Sequence, residues 1–136
     1  MSNFIYSKAK ESLLKGEINL NDSIKVLLIN TSLYTANQSS DEFVSDIPSN
    51  AVVYTSSLLS NKSINAGTFD ADDLLLDNYD GTAFQAVVLY QLGSNNASSR
   101  LIFYIDDSEG LPFPGTDDPL LLTLQWDNTN TKIISL

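Results

Sequence analysis

Carboxylates are the main chemical resource of this chain. Asp70, Asp72, Asp73, Asp77 and Asp80 crowd one short stretch, and a glycosidase needs only two acids flanking a sugar bond. A sugar site also wants aromatic platforms and a deep cleft, and the sequence holds a single Trp, at position 126. Calcium is the other use for clustered oxygens. Phe69-Asp70-Ala71-Asp72-Asp73 begins like an EF-hand loop, but the turn glycine is missing and Leu74 to Leu76 occupy the positions that follow. Asp77-Asn78-Tyr79-Asp80-Gly81 and Asp106-Asp107-Ser108-Glu109-Gly110 are acidic turns that never reach the bidentate Glu. Asp and Asn are ordinary turn formers, because their side chains bond the backbone locally.

The remaining catalytic types are missing. The sequence has no histidine and no cysteine. That removes the commonest general base near neutral pH and the commonest transition-metal ligand. Cys–His and Ser–His–Asp constellations, thiolate zinc sites and disulfides go with them. No phosphate-cradling glycine loop is present. The reading is a protein that is not an enzyme, with no catalytic, cofactor-binding or metal-ligating residue assigned.

Charge narrows the partners. Seventeen acidic residues stand against seven basic ones, a formal charge of -10. Nucleic acid is disfavoured, since its affinity comes from clustered cations, and so is an anionic membrane surface. Lys8, Lys10, Lys15 and Lys25 crowd the N-terminal stretch while acids dominate from Asp41 onward, a distribution that orients a domain against a partner of complementary potential. Residues 1–15 lack the apolar stretch of a signal peptide, and no apolar run approaches a membrane span. The expectation is a chain used without crossing a membrane by the general secretory route. Five N-x-S/T sequons, starting at Asn21, Asn30, Asn37, Asn61 and Asn96, then reflect an Asn- and Ser-rich composition.

The elements that must position these residues begin with a helix. Ile5, Ala9 and Leu13 recur at four-residue spacing, Leu14 broadens the stripe, Ser2 or Asn3 caps it and Gly16 ends it. Residues 23–31, SIKVLLINT, form a β-branched and aliphatic run whose continuous apolar character predicts a strand covered on both faces, one of them by the helix. A long polar loop follows, pinned by Tyr34 and Phe43. Short strands are then predicted over 51–55, 63–69, 73–76, 82–92, 100–105, 120–126 and 132–136, with turn clusters between them. The fold class is mainly β: a small antiparallel β-sandwich or barrel with a short N-terminal α-helix. One domain spans 1–136, with the helix over 1–16, a long loop over 32–50 and a strand-rich body over 51–136. Gly110-Leu111-Pro112-Phe113-Pro114-Gly115 reads as an extended surface loop, since two prolines rule out a central strand. Its Leu111 and Phe113 either tuck back onto the domain or project as anchors into a neighbouring subunit.

Several of these segments together carry a resemblance. They are Ile5-Tyr6 with Ala9, Leu13-Leu14, Gly16 and Ile18, running into Ile24-Lys25-Val26-Leu27-Leu28; then Val44-Ser45-Asp46-Ile47-Pro48; Val87-Val88-Leu89-Tyr90 with Ser98-Ser99-Arg100-Leu101-Ile102; and the ending Leu124-Gln125-Trp126-Asp127-Asn128 with Lys132-Ile133. They resemble a family of small virion structural proteins of tailed bacteriophages, over nearly the whole chain. The resemblance implies a virion part assembled in the host cytoplasm, either a capsid decoration or cement protein on the major capsid protein, or a neck, tail or fibre component with a receptor-binding role. It implies other virion proteins as partners and a homo-oligomer at a symmetry axis. Candidate contacts are Phe4, Ile5, Lys8, Lys10, Lys15, Leu111 and Phe113. The receptor alternative would use loop aromatics such as Tyr34, Tyr54 or Tyr79.

Overall fold

Backbone pairing begins almost at the N-terminus. In the computed structural model, which describes residues 3–65, 68–106, 111–117, 123–124 and 134–135, β1 (Phe4–Ile5) lies antiparallel to β8 (Arg100–Ile105), with Phe4 opposite Tyr104 and Ile5 opposite Phe103. The helix α1 (Ser7–Lys15) starts only after it. This corrects the helix predicted over 1–16. Tyr6 occupies the N-cap with extended ψ and no side-chain cap, its N–H donates to Ile102 O, and its ring is fully buried. Anchoring an edge of the sheet outweighs extending a helix that is marginal by itself.

The phase of α1 is also corrected. Ala9 and Ser12 are buried and Leu13 packs on the core, but Leu14 is 90% exposed. Each helical residue turns about 100°, so Leu14 lies about 140° from Ala9 and falls off the buried stripe. Gly16 ends the helix as expected, with φ of 78° and its N–H directed to Leu13 O. A glycine there avoids the Cβ penalty of the left-handed region.

The central sheet has the order β1-β8-β7-β2-β3, every pair antiparallel. Its middle is β2 (Ile24–Ile29) and β7 (Ala86–Gln91), paired without a break from Ile24–Gln91 to Ile29–Ala86. Val26 to Ile29 and Ala86 to Tyr90 are all buried, so both faces of these strands are covered and an apolar run replaces simple alternation. The helix packs on β8, not chiefly on β2. One edge is β3 (Val52–Thr55). Two smaller sheets complete the fold. Strands β4 (Ser63–Asn65) and β5 (Thr68–Asp70) pair with each other, and β5 also pairs with β10 (Ile134–Ser135). Strand β6 (Leu74–Leu75) pairs with β9 (Thr123–Leu124). The single strand predicted over 63–69 is therefore two antiparallel strands, with the strong punctuator Gly67 between them in sequence. Trp126 lies outside the described residues.

The protein is mainly β with one short N-terminal helix. Its central sheet draws strands from 4–5 and 24–29 as well as from the region after 51, so the strand-rich body includes the N-terminal part of the chain. The loop between β2 and β3 contains two 3-10 turns, Val44–Asp46 and Ser49–Ala51.

Candidate functional site

Arg100, the only arginine in the sequence, opens β8 and reaches across three segments. Its Nη1 donates to Glu42 Oε2 at 3.2 Å and to Ser12 Oγ at 3.1 Å, and its Nη2 lies 3.7 Å from Glu17 Oε2. Its guanidinium carbon stands 5.1 Å from the centroid of the Phe43 ring. Backbone bonds run beside it, from Leu101 N to Glu42 O and from Val44 N to Ser99 O. A planar fork with several donors suits a junction where carboxylates and a ring converge from different directions. Phe43 does pin the long loop, and the cation beneath it supplies part of the reason.

Tyr34 is the loop's second anchor. Its hydroxyl donates to Asp41 Oδ2 at 2.6 Å and lies 3.0 Å from the Tyr6 hydroxyl. The same Asp41 oxygen accepts from Asn37 N at 2.8 Å. Burial pushes both phenols well above their ordinary range. For Tyr34, the neighbouring Tyr6 and Asp41 add to the effect of burial. Both hydroxyls therefore stay protonated near neutral pH, and the group acts as a fixed hydrogen-bonded strut.

Above this strut lie two open depressions that share Thr35 and Ala36. One, of about 570 Å³, is lined by Ser7, Asn37, Gln38 and Ser39 besides the shared pair. The other, of about 230 Å³, adds Phe4, Thr31, Tyr34, Tyr104 and Asp106. One end offers hydroxyls and amides, the other aromatic carbon and a carboxylate.

The acidic turns are built as turns. Asp80 accepts from Thr82 N at 2.9 Å and Thr82 Oγ1 at 2.6 Å, and these bonds hold its carboxyl below the usual range. Asp46 accepts from the N–H groups of Glu42 and Phe43, and Asp72 accepts from Asn61 Nδ2. Among the described residues, no group of three or more His, Cys, Asp or Glu side chains could hold a metal ion. Asp107 and Glu109 lie outside the described residues.

The predicted contact residues separate into two groups. Phe4 stacks on Tyr104 at 4.9 Å, and Ile5, Leu111 and Phe113 pack with it against the core. Phe113 exchanges both backbone bonds with Phe84 and lies 5.1 Å from its ring. Of the two fates open to the proline-flanked loop, Leu111 and Phe113 therefore take the inward one, with Pro112 and Pro114 outside. Lys10 and Lys15 are exposed on α1, and Lys8 is half-buried beside Glu11 at 3.5 Å. The loop aromatics offered for recognition are corrected: Tyr34 and Tyr79 are buried and Tyr54 is half-buried. Each has an internal partner, Tyr79 donating to Thr82 O and Tyr54 to Asp77 O. Sequence reasoning passed over Arg100 and Tyr6, although the lone arginine was a visible signal. Among the described residues, no helix is long and apolar enough to cross a membrane. No protein-family model matches the chain, and no curated protein matches it in sequence.

Proposed function

We propose that this chain is a non-enzymatic virion structural protein of a tailed bacteriophage, a decoration or cement subunit that packs on the major capsid protein and stabilises the shell. The observation that carries the reading is where the strongest polar groups are used. Arg100 ties α1, the long loop and β8 together, and Tyr6, Tyr34 and Asp41 brace the same loop against the sheet. Such investment in rigid positioning suits a small module whose work is packing, since a subunit that binds only the assembled shell stabilises it by linkage. The resemblance to small virion proteins points the same way. The experiment is quantitative mass spectrometry of purified particles. A copy number near that of the major capsid protein supports the shell, and a detectable chain far below parity moves it to the neck, tail or fibres. Absence from particles ends the reading.

One observation favours the neck, tail or fibre role with receptor recognition. The joined depressions set Phe4 and Tyr104 at one end and Ser7, Asn37 and Gln38 at the other, a mixture of aromatic and neutral polar groups that suits a sugar. Titration with host surface glycans tests it. Saturable binding lost in Gln38→Ala supports this role, and no binding removes it.

A further inference from the structure

Leu14 and Leu75 are large apolar side chains left in solvent at 90% and 45% exposure, and each sits in a matched charge setting. Leu14 lies on the outer face of α1, one turn after Lys10 and next to Lys15, both exposed. Leu75 lies in a stretch whose burial alternates residue by residue: Asp73, Leu75 and Asp77 are exposed, while Leu74 and Leu76 are buried. Asp73 and Leu75 flank the buried Leu74 on one outward side, and Asp77 is exposed in the turn that follows, where its N–H donates to Leu75 O. The wider surroundings keep the same signs. Residues 1–16 carry three lysines against one glutamate, and residues 70–80 carry five aspartates with no basic residue.

The topology places these faces by different strands of the central sheet. The helix packs on β8, and its end is tied there through Ser12 and Arg100. The end of the acidic stretch meets β3, where Tyr54 donates to Asp77 O and meets the Tyr79 ring at 5.4 Å. Strands β7 and β2 lie between β8 and β3, so one copy presents the two faces apart.

We propose that they meet between copies, with Leu14 of one copy against Leu75 of the next and Lys10 and Lys15 beside Asp73 and Asp77. A second copy is the fitting partner because one chain carries both halves of the match. With a formal charge of -10 per copy, this approach brings opposite signs together, whereas acidic faces oppose each other. The contact is head-to-tail, so it generates a closed ring or an open series according to the rotation between neighbours. It is a property of the isolated chain and does not rest on the virion reading.

The test is sedimentation velocity with native mass spectrometry on the purified full chain over rising concentration. The wild type is expected to form species above the monomer that grow with concentration. Leu14→Asp is expected to weaken association by about tenfold or more. The double variants Lys10→Glu/Lys15→Glu and Asp73→Lys/Asp77→Lys should each associate weakly alone and recover when mixed. A wild type that stays monomeric into roughly the millimolar range overturns the proposal, as does association indifferent to Leu14→Asp. Failure of two folded double variants to recover on mixing also overturns it. Circular dichroism checks folding, and if the aspartate variant is unfolded the helix-side substitutions, at exposed positions, decide alone.

Discussion

At the scale of single residues, the groups that look most reactive are held in place by their neighbours. Tyr34 contributes one hydroxyl to two partners, the half-buried Asp41 and the buried Tyr6. Tyr34→Phe should therefore cost about 1–3 kcal/mol in urea unfolding, because both partners lose a bond at a largely buried site. Tyr6→Phe should cost less, since Tyr34 keeps its bond to Asp41. Arg100 makes a similar case with charge. Its side chain is 23% exposed, so solvent screens part of each ion pair, but the fork still serves Glu42, Ser12 and Glu17 together. Arg100→Ala is expected to destabilise by about 1–3 kcal/mol. Arg100→Lys should recover little, because a single ammonium cannot reproduce the geometry. Equal stability of Arg100→Lys and wild type in chemical denaturation would show that the fork is immaterial.

At the scale of elements, α1 and the turns give sharper contrasts. Leu13 and Leu14 are adjacent and identical in type, yet one packs on the core and the other is in solvent. Leu13→Ala should lower stability by about 1–3 kcal/mol, and Leu14→Ala should stay within about 0.5 kcal/mol. Equal losses in a urea series would mean that the helix sits in a different phase. Two glycines make a second pair. Gly16 and Gly81 both have positive φ, 78° and 88°, but a Cβ on Gly16 meets open space while one on Gly81 runs into the Thr116 carbonyl. Gly16→Ala is expected to cost about 1 kcal/mol for the left-handed backbone alone. Gly81→Ala should cost clearly more, because the turn and the 111–117 segment must move apart. Thermal melts of the two variants side by side check the order.

At the scale of the whole molecule, ionisation of the tyrosines sets an alkaline limit. All six, Tyr6, Tyr34, Tyr54, Tyr79, Tyr90 and Tyr104, are raised above the ordinary phenol value, with burial the first cause in every case. Tyr79 is pushed up to about 12. A group whose folded value lies above its unfolded one contributes its full stability below the unfolded value and loses it as pH rises through the folded one. Stability should therefore be unaffected by these groups up to about pH 10 and fall steeply above it. Tyrosinate absorbance and circular dichroism should change together in one alkaline transition. Tyrosines that titrate individually near pH 10 with the fold intact would contradict the buried positions. The same scale holds the charge asymmetry, with a basic helix on the β8 side and aspartates beside β3.

The sequence by itself determined what depends on local order. A continuous apolar run marked β2 as a strand covered on both faces, β7 falls within the strand predicted over 82–92, residues 100–105 coincide with β8, and Gly16 marked the helix end. These features follow from side-chain periodicity and backbone sterics, which neighbours along the chain decide. Tertiary structure decided the rest. Phe4 and Ile5 have apolar character that fits a helix stripe as well as a strand, and only the free edge of β8 selects pairing. Leu111 and Phe113 read equally as anchors or as core until Phe84 supplies backbone partners and a ring. Ser12, Ser56 and Ser99 resemble every other serine in the sequence, yet they are buried with hydroxyls that bond Arg100, Val26 and Gly93. Periodicity is encoded over a few residues, whereas the partners of Ser12 and Ser56 lie 88 and 30 residues away. The choice among such partners is made by the closed core, where a donor or acceptor without one is costly.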